Sequence, residues 1–203
     1  MAQFFARVWN FAGHGSQIPQ PGDYLTVDIA GQPLLIVRDR EGTIRAFFNR
    51  CAHRGARLYT EASGHTSGRL LVCPYHAWSF RTDGSLAATP LKAGYEGTGM
   101  QDAEAGRGLA VVPGLEVYRD FIFVRLSQHG IGFTEYFGDI LRAIDGMVDR
   151  SPTGELRVEG GILRNEIRCN WKFYLENVND SVHPVSTHNS AVHAASSVWR
   201  DAP

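Results

Sequence analysis

The sequence predicts an α+β chain, with an antiparallel all-β domain first and a helix-bearing α+β segment after it. Between Tyr24 and Leu126, short β-branched and aromatic runs recur, each bounded by Gly, Pro, Asn or Asp, which is the rhythm of a small antiparallel domain. From Gly130 onward the apolar period changes. Phe133, Tyr136, Phe137, Ile140, Leu141, Ile144, Met147 and Val148 fall on the i, i+3, i+4 stripe of an amphipathic helix, with Thr134 as its expected cap. The expected domains are therefore residues 1–126 and 127–203, and 203 residues at 43% hydrophobic are enough to build a core.

Composition excludes some classes of partner. A formal net charge of −1 gives no footing for nucleic acid or an anionic membrane. The basic residues are 18 Arg against 2 Lys, which reads as coding bias. No apolar run reaches membrane-spanning length, and MAQFFARVWN lacks a signal-peptide pattern. Two of the 3 Cys belong to a motif described below, so no disulfide pair is left and a reducing cytoplasm is expected.

Taken in order, the aromatic stretch Phe4–Phe11 is expected to pack on a core, and IPQPGDY (residues 18–24) to turn. Strands are expected over Tyr24–Ile29, Leu34–Arg38 and Ile44–Phe48, separated by the turns Gly31-Gln32-Pro33 and Arg40-Glu41-Gly42. Arg69–Val72 is a further strand, and Ala77–Phe80 with Ser85–Ala88 forms a hairpin about Thr82-Asp83-Gly84. Residues 89–108 read as a long loop, followed by strands Leu109–Val112, Leu115–Tyr118 and Phe121–Leu126. Ser151-Pro152-Thr153-Gly154 ends the amphipathic helix. Leu156–Val158 and Ile162–Cys169 then read as strands, and a helix starting at Asn170 carries forward to His183.

The stretch that organises the chain is Cys51-Ala52-His53 and Cys73-Pro74-Tyr75-His76. Each short loop offers one thiolate and one imidazole. Such a set suits a two-iron cluster in which two Cys hold one iron and two His the other. A single Zn2+ also takes Cys2His2, but its pairs are usually of one ligand type, C-x2–4-C and H-x3–5-H, and C-x-H is tighter than that.

The second constellation is Asp180-x-x-His183-x4-His188. Two His and a carboxylate are the makings of a non-haem Fe(II) site with open positions. On a continuous helix Asp180 and His183 share a face, but His183 and His188 stand about 140° apart. Convergence therefore requires a break between them, for which Pro184 is suited.

Cys51-Ala-His53-Arg-Gly and Cys73-Pro-Tyr-His76-Ala-Trp resemble the cluster loops of Rieske non-haem iron oxygenases, the large (alpha) subunits that hydroxylate aromatic rings. Rieske carriers of respiratory complexes have two further Cys where Ala56 and Tyr75 stand, and a Ser where Trp78 stands. The resemblance implies that residues 1–126 are a Rieske [2Fe–2S] domain with Cys51, His53, Cys73 and His76 as ligands. Residues 127–203 would then be the N-terminal part of a helix-grip (START-like) mononuclear-iron catalytic domain.

By the same resemblance His183 and His188 ligate the mononuclear Fe(II), and Asp180 links His183 to His76 of a neighbouring subunit. Asn170 lines the iron pocket, His193 is a surface or pocket residue and Cys169 a buried thiol. A third ligand, an Asp, comes from far downstream in the family, and Asp201 is too near His188 to be it. The chain is thus expected to be a fragment or a natural truncation, unable to turn over alone.

The implied activity is dioxygenation or monooxygenation in aromatic compound catabolism. Electrons from NAD(P)H would arrive through a reductase, with or without a ferredoxin, in a homotrimer or in a trimer joined by a small beta subunit. A stand-alone Rieske electron carrier and a zinc-stabilised interaction module are the rival readings.

Overall fold

The computed structural model describes residues 2–99, 107–159, 161–163 and 165–199. Part of the expected loop 89–108, and Asp201, lie outside the described residues. Packing divides the chain into two compact units, Met1–Gly160 and Gly161–Pro203. The helical residues 133–149, expected in the second domain, belong with the first of them.

The first unit holds β1 (Asn10–His14), β2 (Asp23–Ile29), β3 (Gln32–Arg38), β4 (Ile44–Phe48), β5 (Ser63–His65), β6 (Leu70–Val72), β7 (Ser79–Arg81), β8 (Leu86–Ala88), β9 (Gly114–Tyr118) and β10 (Phe121–Arg125). They pair antiparallel in three sheets, ordered β1-β10-β9, β4-β3-β2-β5 and β6-β7-β8. The run Leu34-Leu35-Ile36-Val37 explains why β3 is central. Successive side chains of a strand point to opposite faces, and here both faces are covered. Leu34 and Ile36 join Leu25, Ile122 and Val124 in one core, whereas Leu35 and Val37 join Phe47, Leu71, Trp78 and Phe80 in another. Truncating Leu35, which is fully buried, would cost about 2–5 kcal/mol.

The same alternation organises β10. Ile122 and Val124 face the first core, and Phe123 turns the other way to meet Phe133, Leu141 and Ile144. Those three belong to helices α2 (Phe133–Phe137) and α3 (Leu141–Asp149). The apolar stripe predicted one helix there, but Gly138, at φ 49°, opens a 3-10 turn that separates two. The N-cap is Gly132 and not Thr134, which lies inside the first turn.

Other local expectations give way to tertiary context. Phe4–Phe11 divides between helix α1 (Ala2–Arg7) and β1, with Phe4 and Phe11 exposed; Trp9 is the aromatic that reaches a core. Leu109–Val112 forms no strand, only an isolated bridge from Val111 to Phe47, although Leu109 and Val112 are buried. Leu156–Val158 and Ile162–Cys169 form no strand among the described residues. Ile162, Leu163 and Ile167 are exposed, and a strand without a paired neighbour has no ladder to hold it.

The second unit is helical: α4 (Trp171–Asn179), α5 (His183–Thr187) and α6 (Asn189–Trp199). Asn170 caps α4 by accepting from the Lys172 N–H at 3.1 Å. The helix expected to reach His183 stops earlier, at Asp180, whose backbone is extended. Cys169 is exposed, against the expectation of a buried thiol. No helix among the described residues is long and apolar enough to cross a membrane.

Candidate metal centres

The two Cys-His loops have the same backbone construction. The Cys51 N–H donates to Ala56 O at 2.8 Å and the Gly55 N–H returns to Cys51 O at 2.9 Å. In the second loop Cys73 donates to Trp78 O at 2.8 Å and Ala77 returns to Cys73 O at 3.0 Å. The residue that closes each ring has positive φ, 73° at Gly55 and 53° at Ala77. Gly adopts that conformation freely, whereas at Ala77 it costs roughly 1–2 kcal/mol, so the second loop carries strain at its tip.

Both loops are anchored behind. Val72 pairs with Ser79 at the base of the second. Asn49, 1% exposed, holds the first: its Nδ2 donates to Tyr59 O at 2.8 Å, and its Oδ1 accepts from Leu58 N at 3.0 Å and Tyr59 N at 3.3 Å.

This folding sorts the mixed pairs by type. Cys51 and Cys73 are buried in the core with Leu58, Leu71 and Phe80, with the Cys73 side chain near enough to act on the Cys51 thiol. Burial pushes the Cys51 thiol up; the His53 backbone N–H opposes the rise and Cys73 adds to it. His53 and His76 sit outward, half-buried and exposed respectively, with ring centroids 4.8 Å apart. Burial lowers the His53 pKa, and His76, Arg54 and Arg107 act in the same direction.

A metal–nitrogen bond of about 2.1 Å puts each imidazole centroid about 3.2 Å from the ion, so two rings on one ion stand no more than about 6.4 Å apart. The His pair meets that limit. Among the described residues no three His, Cys, Asp or Glu gather as a single-ion site. What the loops gather is an inner thiol pair and an outer imidazole pair, a donor set that fits a two-iron cluster with one pair on each iron.

Sequence alone gives no sign that Trp78 lies parallel to the His53 ring, centroids 4.8 Å apart and planes 3° off. Beside the His pair, Pro90, Leu91, Gly94 and Tyr95 close a cavity of about 460 Å³.

In the second unit, His183 and His188 come together with ring centroids 5.7 Å apart, again within the limit for one ion. Pro184 is not what achieves this. It occupies the first turn of α5, where its missing N–H costs nothing. The chain instead breaks on either side, at Asp180 and at His188, whose φ of −109° and ψ of 35° leave the helix. Asp180 Oδ2 lies 3.3 Å from His183 Nδ1, close enough to pair in charge but off the line of a hydrogen bond. The Val182 N–H, donating to Asp180 Oδ1 at 2.8 Å, holds that carboxyl below the usual carboxylate range, and His183 adds to the effect. Asn170 is engaged as a helix cap, and His193 is exposed with Nδ1 2.9 Å from Asn189 O.

Residues 8–112 match the family profile of the Rieske [2Fe-2S] domain. Over 95% of its length the chain is 38% identical to the anthranilate 1,2-dioxygenase large subunit of Acinetobacter baylyi, covering 40% of that protein. It is 32% identical over 99% of its length to the N,N-dimethyl phenylurea N-demethylase subunit alpha of a Sphingobium species, covering 43% of that protein. Among solved structures, naphthalene 1,2-dioxygenase from a Rhodococcus species bound to indole superposes with a TM-score of 0.83 at 35% identity, over 94% of this chain and 42% of that one. The chain thus spans about two fifths of the length of the curated relatives it matches.

Proposed function

Because the chain belongs to the Rieske [2Fe-2S] domain family, we propose that it forms part of the oxygenase component of a multicomponent aromatic-ring-hydroxylating system. Cys51 and Cys73 would hold the inner iron of the cluster, and His53 and His76 the outer. Residues 127–203 would supply the first part of the catalytic domain, with His183 and His188 on a mononuclear iron whose third donor comes from elsewhere. When bound, these groups supply one-electron transfer and oxygen activation.

The protein's own residues do the rest. The core packed around Cys51 and Cys73 keeps water from the thiol pair, while exposed His76 leaves an edge for electron exchange. Asp180 beside Nδ1 of His183 favours the tautomer that offers Nε2 to iron, the usual role of a carboxylate behind a metal-binding imidazole. Asn170 serves by fixing the start of the helix that leads to Asp180. Electrons would derive from NAD(P)H through a reductase, with or without a ferredoxin, in a cytoplasmic trimer. The substrate would be an aromatic small molecule, by analogy with the relatives' names.

The observation that carries this reading is the sorting of two mixed loops into an inner thiol pair and an outer imidazole pair. The continuation of the match through residues past 112 in the relatives favours an oxygenase component over a stand-alone carrier. The test is electron paramagnetic resonance of anaerobically purified, iron-replete protein after dithionite reduction. A rhombic Rieske-type signal is expected, and its absence would falsify the assignment.

A further inference from the structure

The two imidazoles of the outer pair have different surroundings. His53 lies flat on Trp78, with planes 3° apart. His76 meets instead the tilted ring of Tyr75, at 3.8 Å and 36°, and Tyr75 is 60% exposed. Trp78 is 1% exposed and among the largest fully buried side chains of the molecule. Its carbonyl accepts the Cys73 N–H, the next residue enters β7, and its ring packs among Leu71, Phe80 and Leu109. The surface under His53 is therefore held in the core, whereas the neighbour of His76 is open to solvent.

We propose that Trp78 is a positioning residue that fixes the ring plane of His53 and biases the cluster toward its oxidised state, leaving His76 as the adaptable ligand. This rests on the Rieske assignment of the same loops. An iron-bound imidazole carries positive charge drawn from the metal, most of it when the cluster is oxidised. The face of an indole is negative, and the best of the aromatic faces toward a cation. The offset parallel arrangement is also a favoured one for two rings. The stack therefore favours the oxidised form more than the reduced form, and removing it should raise the midpoint potential.

The experiment compares Trp78→Phe and Trp78→Leu with the parent protein. Iron and acid-labile sulfide, the midpoint by protein-film voltammetry, and the 15N-imidazole hyperfine couplings of the reduced cluster are measured on each. The expected result is near-full cluster loading in the Phe variant and an upward midpoint shift in both, larger for Leu. The shift should correspond to at most a tenfold change in the oxidised-to-reduced ratio, about 59 mV for one electron. One of the two imidazole couplings should broaden while the other stays.

Packing alone would predict loss of cluster without these changes in the clusters that remain. Loaded variants with unmoved midpoint and couplings overturn the proposal, as does a Phe variant shifted as far as Leu. If Leu does not load, Phe decides by the same criteria, and loss of cluster from both reduces Trp78 to a packing residue. A parent protein without a Rieske signal would instead sink the family function, a separate result.

Discussion

Replacing Asn49 by Ala tests whether the first cluster loop depends on one buried amide. The side chain satisfies the N–H of Leu58, a fully buried bond, and the N–H and C=O of Tyr59, both part-buried. Removing it orphans all three groups. A buried unsatisfied backbone group costs about 1–3 kcal/mol, and part-buried ones recover some of that from water. One full penalty plus two partial ones comes to about 2–4 kcal/mol.

With a urea slope of about 2 kcal/mol/M, that loss moves the unfolding midpoint of the cluster-free protein down by about 1–2 M. The assay is urea denaturation followed by circular dichroism, beside iron and sulfide content of the purified protein. Asn49→Asp keeps the acceptor for both N–H groups and loses the donor, so it should fall between Ala and the parent. A midpoint shift below about 0.3 M with full cluster content would show that water or a relaxed loop replaces the amide, and the anchoring argument would fail.

Cys51→Ser and His76→Ala should each abolish the visible chromophore, and an unaltered spectrum in either would remove that residue from the ligand set. The parent midpoint should lie near about −150 mV, the low end for such centres, because Trp78 stands where a sulfur-directed hydroxyl would; a voltammetric midpoint above zero would contradict this. In the proposed oxygenase component, Asp180→Asn should keep mononuclear iron near the parental content while slowing cluster reoxidation with substrate and O2. Iron loss would make Asp180 a ligand. His14, 3% exposed, has its pKa lowered by burial, against Asp120, which raises it. The neutral form is therefore favoured in the fold. Its stabilisation is full above the unfolded value of about 6.5 and declines as pH falls below that, so His14→Gln should flatten the fall in urea midpoint between pH 7.5 and 5.5. An equal fall in both proteins would exclude His14 as its source.

The candidate ligands are legible because metal chemistry is written in residue type and short spacing. Cys51, His53, Cys73 and His76 can be named without knowing any distance between the loops. The central strands were legible for a related reason. Leu34-Leu35-Ile36-Val37, Ile44–Phe48 and Phe121–Arg125 carry their apolar pattern locally, and both observed cores are built on it. β1 was not legible, since Asn10–His14 becomes a strand only by pairing with β10, more than a hundred residues away. β5 likewise depends on the edge of β2. Leu109–Val112 shows the reverse case. Its apolar pattern is real and two of its side chains are buried, yet burial came without a ladder.

The helical half shows where propensity loses to geometry. Pro184 reads as a breaker, but at the first turn of a helix its fixed φ favours initiation, and the chain bends at Asp180 and His188 instead. Those two bends let His183 and His188 approach, a result that spacing on an ideal helix argues against. The pairing of Trp78 with His53 is hidden more deeply still. It depends on two loops, one with a C-x-H and the other with a C-x2-H spacing, closing through the same backbone hydrogen bonds, Cys51 to Ala56 and Cys73 to Trp78. Only then do the rings of Trp78 and His53 stack in parallel. Ala77 marks the same device from its cost side, since a left-handed Ala is tolerated where the loop must turn for His76 to face outward. An Ala77→Gly change should therefore stabilise the cluster-free protein by up to about 1 kcal/mol, reduced by the greater freedom Gly gives the unfolded chain. A urea midpoint that falls instead would mean that the loop tip is not strained.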